Sequence, residues 1–347
     1  MKRPWTLDEL RERASRLPRI SLTSLPTPLE ECRRLSDVLG GGVRLFMKRD
    51  DLTSLGCGGN KVRKLEFGVA EAKAAGCDVV VQALAGQSNF CRQTAAAAAR
   101  VGLPCVLVLR QDHKAGDPPQ GNRLLDYVFG AEVHMCRPGG QREALAAIVE
   151  RLTSHGRKPY VVGRRDEVLG AVAYALCLAE ILEQQAAVGV KADYVCVTGR
   201  GGTTAGLVLG KRLLGFAGEI LAFDVAPHDE DDPSWREGTA QIATEAAALL
   251  GAEEQFTVAD IHNTGAYAGT EYGVPTEACL DALLLLGRTE GLVVGPVYTA
   301  KGLSGVIDYV RTGRIRSGSA VVFLHTGGIP ETFAYNTEIV CRLGPGA

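Results

Sequence analysis

Short apolar runs rich in β-branched residues alternate with helix-forming stretches along most of this chain, and that alternation narrows its possible folds more than any other feature. Asp78-Val79-Val80-Val81-Gln82-Ala83-Leu84 reads as a buried strand, Arg92–Arg100 as an alanine-rich helix and Pro104-Cys105-Val106-Leu107-Val108-Leu109 as the next strand. Strand, crossover helix and strand in that order give a parallel sheet with helices on its faces. The same reading predicts strands at 43–49, 132–136, 159–162, 193–198, 219–225, 292–294 and 320–325. It predicts helices at 7–17, 61–75, 123–129, 141–155, 169–187, 205–214, 235–250, 276–290 and 300–312. The fold class is therefore α/β, and 347 residues suffice for two domains of ordinary size.

Open α/β sheets place ligands at the carboxyl ends of their strands, so the turns there carry the functional information. Gly58-Gly59-Asn60-Lys61-Val62-Arg63-Lys64-Leu65-Glu66 is a glycine turn running into a helix. A lysine at that electropositive helix start is favoured in its neutral, nucleophilic form. Read alone, Lys61 is equally well an ordinary solvated lysine. Thr198-Gly199-Arg200-Gly201-Gly202-Thr203-Thr204 joins an apolar strand to a helix. Its successive N–H groups and threonine hydroxyls suit a monophosphate, although a plain turn has the same composition. It is neither a Walker A loop nor a GxGxxG motif, because Thr204 stands where the third glycine belongs. With no acidic ribose residue at the right offset, a nicotinamide oxidoreductase is set aside. Gln87-Ser88-Asn89 offers amide and hydroxyl groups for a carboxylate or ring hydroxyl, or a helix cap. Gly295-Pro296-Val297-Tyr298-Thr299 and His325-Thr326-Gly327-Gly328 are two further polar turns.

Charge removes other classes. A net charge of −2 gives no reason to expect nucleic acid or an anionic membrane as partner. The start of the chain lacks an apolar signal core, and no run approaches the ~18 apolar residues of a membrane span. A cytoplasmic protein is expected. The ten cysteines are scattered without a CxxC pair, which argues against a disulfide framework or a metal site. The acidic loop His228–Pro233 reads as a solvated surface segment.

Taken together, Gly59-Asn60-Lys61-Val62-Arg63-Lys64-Leu65-Glu66, Gln87-Ser88-Asn89 with Arg92-Gln93, Gly121-Asn122-Arg123, the loop at 199–206, Pro296-Val297-Tyr298-Thr299 and His325-Thr326-Gly327-Gly328 resemble one family. It is the pyridoxal-phosphate-dependent D-cysteine desulfhydrases and 1-aminocyclopropane-1-carboxylate deaminases, of the tryptophan-synthase-β-like fold. The resemblance runs from about residue 20 to 335, with the motifs in the same order. It implies two open, twisted, mostly parallel sheets flanked by helices. It also implies a large cofactor domain of residues 1–58 and 171–347, a small domain of residues 59–170, and a homodimer. Pyridoxal 5′-phosphate would be bound as a Schiff base by Lys61, which would later shuttle the substrate proton. Asn89 would contact the cofactor's 3′-oxygen, and Gly199, Gly201, Gly202 and Thr203 with Lys64 would hold its phosphate. Gln87, Ser88, Asn89, Tyr298 and Thr299 would meet a small amino-acid substrate, with Ser88 and Tyr298 also catalytic. Thr326 would face the pyridine nitrogen; a neutral partner there weakens the ring as an electron sink and favours β-elimination.

Within the family, 1-aminocyclopropane-1-carboxylate deaminases carry Glu after the tyrosine and Leu after the histidine. Thr299 and Thr326 stand at those positions here, as in the desulfhydrase branch, so elimination from D-cysteine to pyruvate, ammonia and sulfide is the default expectation. β-Replacement, a specialised biosynthetic reaction and a non-catalytic binding protein are the alternatives. Four departures from the family pattern stand out. Phe90 follows Ser-Asn where a polar residue is usual, and Ala85-Gly86 replaces another small pair. Gly163-Arg164-Arg165-Asp166-Glu167 replaces a Gly-Gly-Ser-Asn type segment, and Arg200 sits in the phosphate loop. Arg164 or Arg165 is expected to bind an acidic group of the substrate.

Overall fold

The computed structural model describes residues 3–344 apart from 113, 115 and 229–231. Ten strands are described: β1 (Leu29–Glu31), β2 (Arg44–Lys48), β3 (Val79–Ala85), β4 (Cys105–Arg110), β5 (Glu132–Cys136), β6 (Pro159–Val161), β7 (Tyr194–Thr198), β8 (Glu219–Phe223), β9 (Asn263–Thr264) and β10 (Ala320–Leu324). They form a six-stranded sheet in the order β1-β2-β10-β7-β8-β9 and a four-stranded sheet in the order β5-β4-β3-β6. Every pairing is parallel except β1 with β2. Fully buried parallel strands need apolar residues on both faces, which is what Tyr194-Val195-Cys196-Val197-Thr198 and Ala320-Val321-Val322-Phe323-Leu324 supply.

The six-stranded sheet is covered on one face by helices Arg164–Ala187, Gly202–Leu214 and Ser234–Leu249, and on the other by Glu277–Glu290 and Thr299–Arg311. A separate core lies on each face of the four-stranded sheet. Cys177 and Cys196 are fully buried within these cores, as expected for cysteine used as a small apolar residue.

The sequence reading differs from the structure at a few places, each with a physical cause. Helix Arg164–Ala187 begins five residues earlier than expected, because the Asp166 carboxylate caps it by accepting the Gly163 N–H at 2.8 Å. Leu292–Val294 is not a strand: the Val293 carbonyl is taken by the His325 ring at 2.9 Å instead of a neighbouring strand. The proline-broken connector contains β1, paired antiparallel with β2, and two short helices, Ile329–Ala334 and Asn336–Leu343, close the described chain. Half of the acidic loop at 228–233, residues 229–231, lies outside the described residues. Among the described residues no helix is long and apolar enough to cross a membrane, and no group of three or more side chains is placed to hold a metal.

Candidate active site

A cleft of about 470 Å³ opens where the carboxyl ends of the two sheets meet. Its walls take Leu84 and Ala85 from β3, Arg110 from β4 and Thr198 from β7, with Asp224 and Thr326 just beyond β8 and β10. Lys61, the first residue of helix Lys61–Ala74, projects into it. The glycine turn that delivers Lys61 is wedged between neighbours. Gly58 has φ +75, and a Cβ there would lie 1.9 Å from the Asp51 carbonyl oxygen. The Asn60 N–H donates to the Thr326 carbonyl at 3.0 Å, and the Lys61 N–H to Gln93 Oε1 at 2.8 Å. Burial, with the charge of Lys64 acting in the same direction, lowers the Lys61 amine to about 8 against the pull of Glu167. A helix start adds to the same effect. An amine that loses its proton near neutrality is what Schiff-base chemistry requires.

The rest of that helix start is tied down by buried ions. Arg63 reaches Asp50 and Glu180, each at 2.8 Å, and Glu66 accepts Arg19 at 2.6 Å and the Leu22 N–H at 2.8 Å. Lys64 Nζ is buried against Glu167 Oε1 at 2.7 Å. Phe90 lines the cleft with its ring centre 5.9 Å from Lys61 Nζ and 4.9 Å from Lys64 Nζ, an apolar wall carrying cation–π contacts.

The glycine turn at 199–202 is formed as its composition suggests. Gly199 and Gly201 have φ +107 and +73, and Gly202 opens helix Gly202–Leu214. An anion already sits on that turn: Glu167 Oε2 accepts the Gly202 N–H at 2.7 Å. Gly199 and Thr203 line the cleft, whereas Gly201, Gly202 and Lys64 lie behind the Glu167 carboxylate.

Ser88 caps helix Asn89–Val101, its oxygen accepting the Phe90 and Cys91 N–H groups at 3.2 and 3.1 Å. That leaves the hydroxyl proton free to be donated into the cleft Ser88 lines. Asn89 also lines it. Its Oδ1 accepts Asn122 Nδ2 at 2.9 Å, and one Nδ2 proton goes to Glu331 Oε2 at 2.9 Å, leaving the second for a ligand. Burial pushes the Glu331 carboxyl up to about 7, against the N–H groups of Asn89 and Val297. Gln87 is placed elsewhere: its amide is used up by Lys114 O, Gln120 O and the Asn122 N–H, away from the cleft lining.

Thr326 lines the cleft and its Oγ1 lies 2.8 Å from that of Thr299, which also donates to the Gly327 carbonyl at 3.1 Å. Thr299 is fully buried behind Thr326 and does not reach the cleft surface. Tyr298 does, and its hydroxyl lies 2.6 Å from that of Tyr272. In the sequence Tyr272 is marked only as an aromatic residue beside Gly273 in an irregular stretch. Arg164 and Arg165 correct an expectation. They pair with Glu245 at 2.7 Å and with Glu71 on the exterior, and neither lines the cleft. The guanidinium groups that do are Arg110, stacked 5.5 Å from the Tyr272 ring, and Arg200, 3.3 Å from Asp224.

These residues fit the expected cofactor. A low-pKa amine lies in the cleft and a nest that already accepts an anion lies on its wall. The Thr198 hydroxyl facing the same space is buried without a hydrogen-bond partner.

Comparison with known proteins agrees. Residues 20–327 match the model of the pyridoxal-phosphate dependent enzyme family. A D-cysteine desulfhydrase of Yersinia pestis (strain Pestoides F) is 38% identical over 336 residues, covering 95% of this chain and 99% of the relative. A 1-aminocyclopropane-1-carboxylate deaminase of Burkholderia cenocepacia is 38% identical over 331 residues, covering 92% and 97%. The crystal structure of a 1-aminocyclopropane-1-carboxylate deaminase homologue superposes with a TM-score of 0.86 at 32% identity, covering 96% of this chain and 99% of that one. A threonine deaminase with a TM-score of 0.66 at 21% identity, over 93% and 98%, shares the fold. The chain belongs to the pyridoxal-phosphate-dependent enzymes.

Proposed function

We propose that the protein eliminates the β-substituent of a small amino acid, with D-cysteine, giving pyruvate, ammonia and sulfide, as the default substrate. The observation that carries this is Lys61: an amine with a pKa near 8 projecting into a cleft that also presents the hydroxyls of Ser88, Thr198 and Tyr298 and the Asn89 amide. Bound pyridoxal phosphate supplies an electron sink for the Cα carbanion. The chain's own residues do the rest. Lys61 would take the proton as the Cα–H bond breaks, Ser88 and the second Asn89 proton would hold the substrate carboxylate and the cofactor's 3′-oxygen, and Thr326 would be the neutral partner of the ring nitrogen. Tyr298, backed by Tyr272, would donate its hydroxyl proton toward the departing sulfur as the Cβ–S bond breaks. The resulting enamine takes up water and loses ammonia. Thr299 would act through Thr326, and Lys64, Gly199, Gly201, Gly202 and Thr203 would hold the phosphate.

A second reading concerns the leaving group. Arg110 and Arg200 both line the cleft, and they favour amino acids whose β-substituent carries its own negative charge. Domain division at residues 59–170 is supported by the four-stranded sheet lying wholly within 79–161. A homodimer and a cytoplasmic setting are proposed from the family resemblance and the sequence.

A screen of D- and L-amino acids for 2-oxo acid, ammonia and sulfide release tests the reading. D-Cysteine is expected among the fastest; no ammonia release from any β-substituted amino acid would overturn it. Lys61→Ala should abolish turnover and the long-wavelength absorption of bound cofactor. Colourless wild-type protein, unchanged by borohydride after incubation with pyridoxal phosphate, would indicate a non-catalytic binding protein.

A further inference from the structure

The donors placed to hold a phosphate are occupied by a side chain of the protein itself. Glu167 Oε2 takes the Gly202 N–H and Oε1 takes Lys64 Nζ, both at 2.7 Å. The fit is close: a Cβ on Gly201 would lie 2.8 Å from Oε2, and one on Gly202 would lie 2.2 Å from the Glu167 carbonyl oxygen. Glu167 is the fourth residue of helix Arg164–Ala187, so its side chain leaves a rigid element and reaches into the cleft across the turn. Burial works to protonate it, but the charges of Lys64 and Lys61 and the two hydrogen bonds hold it at about 2. It is an anion at any working pH.

A phosphate monoester seeks the same donors and is itself an anion, so the two cannot share the nest without strong repulsion. We propose that Glu167 is a resident competitor for the cofactor's phosphate, which enters only as the Glu167 carboxylate rotates out of the turn. The cleft offers that rotation an open side, since the Glu167 side chain lines it and keeps 29% of its surface exposed. It also supplies a landing place. Arg200 immediately precedes Gly201, lines the same cleft and is held only at 3.3 Å by Asp224. Two departures from the family pattern, an acid at 167 and a guanidinium at 200, thereby form one device. The carboxylate closes the nest when cofactor is absent and moves toward Arg200 when phosphate arrives. The consequence is a cofactor held less tightly than the nest alone would hold it, and one that exchanges. This rests on the cofactor and not on the substrate assignment.

The test uses the full chain stripped of cofactor with hydroxylamine. Wild type and Glu167→Gln are titrated separately with pyridoxal 5′-phosphate and with pyridoxal, read by long-wavelength absorption and by tryptophan fluorescence. Glu167→Gln is expected to bind the phosphorylated aldehyde about tenfold or more tightly, with pyridoxal changed by no more than about twofold. Inorganic phosphate should raise the melting temperature of stripped Glu167→Gln and leave that of wild type unchanged. Unchanged or weaker binding of the phosphorylated aldehyde by the variant, or an equal gain for both aldehydes, would overturn the proposal. Should the variant not fold, the wild type decides by itself. Its preference for the phosphorylated over the plain aldehyde is expected below about 100-fold, and a larger preference counts against a competing carboxylate.

Discussion

The hydroxyl oxygens of Tyr272 and Tyr298 lie 2.6 Å apart on the wall of the Lys61 cleft, with their rings edge to face. Burial raises the pKa of both phenols, so each keeps its proton at neutral pH. Tyr298→Phe should lower kcat by about 10²–10⁴-fold while leaving cofactor absorption intact, and Tyr272→Phe should cost less, because it removes only the partner. Steady-state kinetics decide this. A Tyr298→Phe enzyme with kcat within about twofold of wild type would show that the pair is packing alone.

Glu331 gives the stability of the apo protein a definite pH dependence. Its folded-state pKa of about 7 lies above its ordinary value of 4.5, so between those values the native state holds a proton that the unfolded chain has lost. Stability therefore falls as pH rises through that window, by about 3 kcal/mol in all, and is fully present only below it. Glu331→Gln cannot ionise and should escape the loss. Its melting temperature relative to wild type should rise by roughly 5 °C between pH 5 and pH 8. Parallel curves for the two proteins would contradict the assignment.

Gly58 and Gly76 both have positive φ, yet they should respond differently to alanine. A Cβ on Gly58 would collide with backbone at 1.9 Å, whereas one on Gly76 meets nothing within 4 Å. Gly76→Ala is expected to cost about 1 kcal/mol from backbone conformation alone. Gly58→Ala should cost about 3 kcal/mol or more and displace Lys61, read as loss of cofactor absorption in whatever protein remains folded. Equal melting temperatures for the two variants would mean the turn yields freely.

Arg110→Gln should raise KM for amino acids with an anionic β-substituent by about 10- to 100-fold and leave D-cysteine within about threefold. Equal losses on both substrates would remove Arg110 from specificity. Arg164→Ala and Arg165→Ala serve as contrast. Their ion pairs are exposed, so each should change stability by less than about 1 kcal/mol and KM not at all.

Much of the architecture was legible because parallel strands and glycine turns leave strong marks: β3, β4, β7 and β10 fall within a residue or two of where alternation places them. The cleft was legible as a set of turns, and Lys61, Ser88, Asn89, Tyr298, Thr203 and Thr326 do converge on it. What the sequence hid depends on rotation and on distant contacts. Segment 163–167 reads as a loop, in which any residue could face a ligand. Once Asp166 caps it into a helix, Arg165 and Glu167 point about 160° apart, so Glu167 enters the cleft while Arg165 turns outward, and Arg164, at the first helical position, is drawn off by Glu245. Tyr272 comes from an irregular stretch, and only packing against Tyr298 reveals it. Gln87 has the right chemistry for a ligand, but three backbone groups claim it first.

The ions along the first turns of the Lys61 helix bear on how such a chain can diverge. Arg63, Lys64 and Glu66 each answer to a different distant segment: Asp50 and Glu180, Glu167, and Arg19 with Leu22. Sliding the helix by a single residue would strand all of them away from water, at a cost of several kcal/mol for each orphaned charge. Insertions and deletions between 59 and 66 are accordingly barred by residues most of which never meet the substrate. Arg110 and Arg200 are tied more loosely, each to one aspartate, Asp112 at 3.4 Å and Asp224 at 3.3 Å. Descendants of this chain are free to trade substrates at the mouth of the cleft while the amine at its floor keeps one address.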